Sequence, residues 1–112
     1  MLNYALICFL VGAVGGLVLA VSVFRNRLPS WALSLVHAAL GAAGLVFTLM
    51  AVMNGAPAMA RTALIVLVVA ALGGFFLASF HLRGRPGPKP VVALHALLAV
   101  TGVGLLASVV LG

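Results

Sequence analysis

The chain has 112 residues, of which 66% are hydrophobic and 5% are charged, and its mean hydropathy is +1.42. Soluble domains of this length are far less apolar, so the composition predicts an integral membrane protein. The sequence contains no Asp and no Glu. This excludes carboxylate acid–base pairs, carboxylate sites for magnesium or calcium, and the membrane carboxylates that cation-coupled transport usually requires. The composition therefore favours a protein that is not an enzyme.

Four apolar segments are long enough to cross a bilayer, whose hydrocarbon core of about 30 Å requires about 20 apolar residues per helix. They lie at residues 2–24, 31–53, 63–82 and 91–111. Because short turns connect them, the sequence predicts one transmembrane domain over residues 1–112. We expect an all-α, four-helix bundle in which the helices run up, down, up and down.

Two helix starts carry local signals. Ser30 directly precedes the second apolar segment, which predicts that its side chain caps the second helix. Pro90 lies just before the fourth segment, where a helix tolerates the missing N–H of proline. Both signals predict tight turns between consecutive helices.

Nearly all of the charge lies in the turns. Turns one and three contain five basic residues and turn two contains one, which are Arg25, Arg27, Arg83, Arg85 and Lys89 against Arg61. The positive-inside rule then places turns one and three in the cytoplasm and both termini outside. The short turns and the alanine- and glycine-rich helices are typical of a bacterial inner-membrane protein. We expect the basic residues to bind lipid head groups and not nucleic acid.

The first segment resembles a secretory signal only in its apolarity. Its basic residues, Arg25 and Arg27, follow the apolar run, whereas those of a cleavable signal precede it. We therefore expect this segment to be a retained helix.

The two halves of the chain share a sequence pattern. Residues His37, Ala38, Leu40 and Gly44 recur 58 positions later as His95, Ala96, Leu98 and Gly102. Aligning residues 1–54 with residues 59–112 requires no gap and gives 17 identical pairs. The pattern predicts two tandem two-helix repeats. Because each repeat contains two spans, a pseudo-twofold axis along the membrane normal should relate them.

The repeat places one histidine in each half at the same depth. His37 lies seven residues after Ser30, or roughly 10 Å below the cytoplasmic surface, and His95 lies six residues after Lys89. In the predicted bundle the second and fourth helices lie diagonally, so the two imidazoles should face each other. Ionisable residues at this depth indicate function by default.

This pairing predicts a b-type haem with His37 and His95 as axial ligands of its iron. Gly44 and Gly102, seven residues further on, would leave room for the flat macrocycle. Arginines at the nearest interface would bind its propionates, namely Arg25, Arg27, Arg83 and Arg85. The arrangement resembles that of membrane b-type cytochromes in these two histidines and their surroundings. It implies electron transfer with a quinone or a partner complex.

A structural role for the same histidines is the main alternative. Each imidazole would bind the other imidazole, a backbone carbonyl or another subunit, and the glycines would only permit close packing. The chain would then be an accessory or scaffold subunit of a larger membrane complex, or form a homo-oligomer.

The third histidine has no counterpart in the other half of the chain. His81 aligns with Val23 and lies two residues before Arg83, at the cytoplasmic end of the third helix. Such a residue binds a propionate or a quinone head group, shuttles a proton, or simply faces lipid head groups.

Transport is a further alternative. The length, the helix count and the opening residues Met1 to Tyr4 resemble the small multidrug resistance transporters. That family relies on a glutamate in its first helix, whereas the comparable position here is Val14. The missing carboxylate makes transport the least favoured of the three functions.

Overall fold

The computed structural model describes all 112 residues and contains four α-helices. The helices are α1 (Leu2–Phe24), α2 (Trp31–Met53), α3 (Ala58–Leu82) and α4 (Lys89–Leu111). At 1.5 Å per residue each is about 35 Å long, which exceeds the hydrocarbon thickness of a bilayer. Their apolar parts have mean hydropathies of 2.0 to 2.6. These lengths and hydropathies confirm the prediction of an all-helical, multi-pass membrane protein.

Helices α3 and α4 begin earlier than their apolar segments. α3 starts at Ala58 because Ala58, Met59 and Ala60 are good helix formers, so the helix continues beyond the apolar run to Pro57 at its N-cap. α4 starts at Lys89, with Pro90 in its first turn. That position of proline confirms the sequence prediction.

A side-chain cap begins α2, and backbone turns end the first three helices. The Ser30 hydroxyl accepts a hydrogen bond from the Leu33 N–H at 3.3 Å, which confirms it as the N-cap of α2. A residue with a left-handed backbone follows the C-cap of each of the first three helices, namely Asn26, Gly55 and Gly84. The next N–H donates to a carbonyl five residues earlier, for example from Arg85 to Phe80. This backbone pattern reverses the chain sharply.

Each helix packs on its neighbours in sequence, and α1 also packs on α4. The pairs α1 with α3 and α2 with α4 have no backbone contact, so they lie diagonally across the bundle. One apolar cluster joins the beginnings of α1 and α3 to the end of α4, and consists of Ala5, Phe9, Ala63, Leu67 and Leu106.

The outer surface of the bundle is apolar. Only 15 of the 112 residues are buried, and large apolar side chains such as Leu17, Phe75 and Leu97 are more than 60% exposed. An apolar surface of this extent is unstable in water and suits the hydrocarbon of a lipid bilayer.

Candidate functional site: the paired histidines

Glycines on neighbouring helices hold the two central imidazoles in place. His37 on α2 lies against Gly16 of α1, where an added Cβ would be 2.8 Å from the ring atom Cε1. His95 on α4 lies against Gly74 of α3, where an added Cβ would be 3.2 Å from Cε1. Each ring therefore occupies the volume that a side chain on the facing helix would need.

One nitrogen of each imidazole is hydrogen-bonded to the backbone. Nδ1–H of His37 donates to the Gly12 carbonyl at 2.7 Å, and Nδ1–H of His95 donates to the Ala70 carbonyl at 2.7 Å. Since a carbonyl oxygen only accepts, Nδ1 carries the proton in both neutral rings. Nε2 of each ring therefore has a free lone pair, and neither Nε2 has a hydrogen-bond partner.

The two imidazoles approach each other across the bundle. The ring centroids of His37 and His95 are 6.3 Å apart, and the ring planes are inclined by 77°. At this separation the rings do not touch face to face, and no hydrogen bond joins them. The two histidines therefore do not bond to each other. Each bonds instead to a backbone carbonyl, which is another arrangement that the structural alternative allows.

A single cavity includes both rings. Its volume is about 850 Å³, and His37, His95 and His81 all line it, within a mostly apolar wall. Ligand sites in proteins commonly have volumes of roughly 300–1,000 Å³ and a few polar groups in an apolar wall. The cavity therefore has the size and character of a binding site for an apolar ligand.

The glycines seven residues after the histidines occupy another part of the bundle. An added Cβ at Gly44 would lie 2.6 Å from the Phe9 ring, and one at Gly102 would lie 2.6 Å from the Leu67 side chain. Both glycines thus admit a core side chain of the adjacent helix. The space beside the rings comes instead from Gly16 and Gly74, which the sequence indicates only as small residues for helix packing.

The arginines near the cavity differ in position. Arg85 lines the cavity, whereas Arg25 and Arg83 are absent from its wall. The Arg83 guanidinium lies 4.7 Å from the centre of the Phe80 ring and donates to the Ser79 carbonyl. Among these three arginines, Arg85 is therefore the one placed to meet an anion in the cavity.

His81 is buried rather than facing head groups. It is 7% exposed, and its ring stacks on Trp31 with centroids 3.7 Å apart and planes inclined by 14°. Its Nδ1 lies 3.2 Å from the Ser34 hydroxyl, and its Nε2 is buried without any hydrogen-bond partner. An unpaired buried nitrogen costs free energy. A hydrogen-bond partner from outside the chain would therefore stabilise this group.

Comparison with protein-family models, with curated proteins and with solved structures finds no match to this chain.

Proposed function

We propose that the chain is a small electron-transfer subunit of the membrane that binds one b-type haem, with His37 and His95 as the axial ligands. The proposal rests mainly on one observation, the 6.3 Å separation of the two ring centroids. A metal–imidazole bond is about 2 Å long, so two imidazoles on opposite sides of one iron have centroids roughly 6 Å apart. The observed separation would therefore suit one iron held between the two rings, provided that both Nε2 atoms face it.

The protonation of the rings supports the same proposal. Metal-bound histidines usually donate their second ring N–H to a carbonyl or carboxylate, which fixes the tautomer and the ring orientation. The Gly12 and Ala70 carbonyls provide this bond here, and they leave Nε2 of each histidine free as a ligand. The chain's own contribution is therefore to fix the tautomer of each ring and to leave its Nε2 lone pair without a protein partner.

Charge and volume fit as well. The cavity of about 850 Å³ has a mostly apolar wall that excludes water from a macrocycle. Arg85 lines it and has no carboxylate partner, because the chain contains none, so it is free to pair with a propionate. When bound, haem would supply reversible one-electron oxidation and reduction.

We infer that the bundle is built from two tandem repeats, residues 1–54 and 59–112, that run up, down, up and down. Three contacts that recur 58 residues apart support this inference. The pairs are Gly12 with His37 and Ala70 with His95, Gly16 with His37 and Gly74 with His95, and Phe9 with Gly44 and Leu67 with Gly102. The duplication would give the iron two equivalent ligands.

We further propose that this subunit lies in a bacterial inner membrane with turns one and three in the cytoplasm. It would exchange electrons with a quinone or with another membrane-protein subunit. The apolar exterior supports the membrane location, and the distribution of basic residues supports the orientation.

Substitution of the two histidines by asparagine tests the haem proposal. The amide nitrogen of asparagine occupies nearly the position of Nδ1, so His37→Asn and His95→Asn can keep the carbonyl hydrogen bond while removing Nε2. We expect each variant to remain folded and to lose the six-coordinate haem spectrum, with haem content falling at least about tenfold. Absorption spectra and haem assays of the purified variants measure this.

The accessory-subunit alternative predicts a different result. If the histidines serve only packing, the asparagine variants should behave like the parent, and His37→Ala should lower thermal stability without any change of colour. Unchanged haem spectra in both asparagine variants would show that these residues are not the axial ligands. His81→Ala is the matched control, because it removes a histidine from the same cavity without removing either of the paired Nε2 atoms.

A further inference from the structure

We propose that His81, Ser34 and Trp31 form a binding site for the head group of a membrane quinone. The inference rests on the proposed electron-transfer function for the choice of a quinone as the ligand. The direct observation is that His81 lines the cavity and that its Nε2 is buried without a hydrogen-bond partner. A ligand oxygen at this nitrogen would satisfy it.

The hydrogen bond between Ser34 and Nδ1 of His81 suits a ligand that accepts a hydrogen bond in one redox state and donates one in the other. The Ser34 hydroxyl lies 3.2 Å from Nδ1 of His81 and can either donate or accept. When Ser34 donates to Nδ1, Nε2–H is free to donate to a quinone carbonyl. When Nδ1–H donates to Ser34, Nε2 is free to accept from a quinol hydroxyl. The same three groups therefore bind both forms of the ligand.

The charges favour a neutral head group at His81. A carboxylate buried there would need a cation beside it, since an unpaired buried charge costs far more than an unpaired dipole. Arg83, the nearest arginine in sequence, is instead held on Ser79 and Phe80. Arg85 lines the same cavity, and the haem proposal assigns it to a propionate. A neutral carbonyl needs only the Nε2–H donor.

The cavity is accessible to a ligand that is dissolved in the bilayer. Leu17, Leu35 and Val100 line it and are themselves largely exposed on the outer surface. The wall there is apolar, as the prenyl tail of a quinone requires. A lipid-soluble ligand can thus enter sideways while its head group reaches the polar end of the cavity.

Trp31 both covers His81 and reports on it. Nε2 has almost no accessible surface, so a ligand can bond to it only after the His81 ring or a neighbouring side chain moves. A turn of the His81 ring would change its stacking on Trp31. Trp31 is 43% exposed and is the only tryptophan of the chain. All tryptophan fluorescence of the chain therefore comes from the residue that stacks on His81.

Titration of the haem-free protein with a short-chain ubiquinone, followed by Trp31 fluorescence, tests the proposal. Saturable quenching is expected for the parent chain. His81→Phe keeps an aromatic ring on Trp31 and removes Nε2, so we expect its affinity to fall about tenfold or more. Ser34→Ala should weaken binding several-fold and serves if His81→Phe does not fold. Ser108→Ala removes an exposed serine on α4, far from His81, whose hydroxyl is bonded only to the Leu105 carbonyl, and should bind like the parent.

Three results would overturn the quinone site. These are non-saturating quenching in the parent, equal affinities in the parent and His81→Phe, and loss of haem from His81→Phe with unchanged quinone affinity. The last result would assign Nε2 to a propionate. Saturable binding by a protein that takes up no haem would support the quinone site while refuting the haem proposal, so the two failures are distinguishable.

Discussion

Each central imidazole has one nitrogen bonded to the backbone and one nitrogen that the proposed haem would use. Nδ1 of His37 and of His95 is hydrogen-bonded to a carbonyl of the preceding helix, which fixes the ring in place, and Nε2 stays free. A substitution that shifts the ring should therefore affect both the stability of the helix pair and the geometry of the ligand.

Gly16→Ala should disturb the site more than Gly74→Ala does. The new Cβ would lie 2.8 Å from Cε1 of His37 in the first variant and 3.2 Å from Cε1 of His95 in the second. The closer contact forces the ring away from its position, and overpacking of this kind costs about 1–3 kcal/mol. We expect Gly16→Ala to lower the thermal midpoint and the haem content, and Gly74→Ala to lower both less.

Haem assays and thermal unfolding in detergent measure these effects. Gly15→Ala is the control, because Gly15 does not line the cavity and an added Cβ there lies 3.4 Å from Leu33, an ordinary van der Waals distance. Equal behaviour of all three variants would show that the close fit of glycine to the rings is not needed for the site.

The sequence could predict which residues pair but not what lies beside them. The 58-residue register predicts that His37 and His95 lie close together, and their ring centroids are 6.3 Å apart. The neighbours of each ring depend on how far a helix is rotated toward its partner, which the sequence does not specify. Spacing along α2 indicated Gly44, whereas the contact across the helix interface is made by Gly16.

The burial of His81 is also not predictable from the sequence. A histidine next to arginines at a helix end is ordinarily exposed, and only the packing of α3 against the start of α2 buries it beneath Trp31. Its long-range partner, Ser34, lies 47 positions earlier in the chain. No local pattern contains that contact.

At the scale of the helices, interlocking of a glycine with a large side chain holds α3 to α4. Gly102 receives the buried side chain of Leu67, whose Cγ would lie 2.6 Å from an added Cβ. In a membrane such packing is the main attraction between helices, because lipid is as apolar as the side chains.

Gly102→Ala and Leu67→Ala should therefore be coupled. Gly102→Ala alone overpacks the interface, and Leu67→Ala alone leaves a cavity that costs about 2–5 kcal/mol. In the double variant the new methyl group partly fills the space that leucine leaves, so its destabilisation should be less than the sum of the single effects by about 0.5–3 kcal/mol. Unfolding of the four proteins in detergent completes this cycle, and strict additivity would contradict the interlocking.

The starts of the helices show which local signals are sufficient to predict a helix boundary. Ser30 and Pro90 act within one turn of the backbone, so the sequence located the starts of α2 and α4 closely. Hydropathy places the start of α3 five residues too late, because it marks only the apolar run. The helix also includes Ala58 to Thr62, where the helix propensity of the residues is sufficient.

At the scale of the whole molecule, the orientation in the membrane is the feature to test. Single cysteines placed by Leu28→Cys in turn one, Pro86→Cys in turn three and Ala58→Cys after turn two probe the two sides, in a Cys8→Ser background. We expect a membrane-impermeant thiol reagent applied to intact cells to label only the Ala58→Cys protein. Labelling of the Leu28→Cys or Pro86→Cys protein from outside would reverse the proposed orientation.

The central claim is that this bundle binds haem between two histidines, and an absorption spectrum tests it most directly. The measurement uses purified protein in mild detergent, first oxidised and then reduced with dithionite, together with the haem content per chain. We expect a sharp reduced α-band of the b type at about one haem per chain. A colourless protein that takes up no added haem would contradict it.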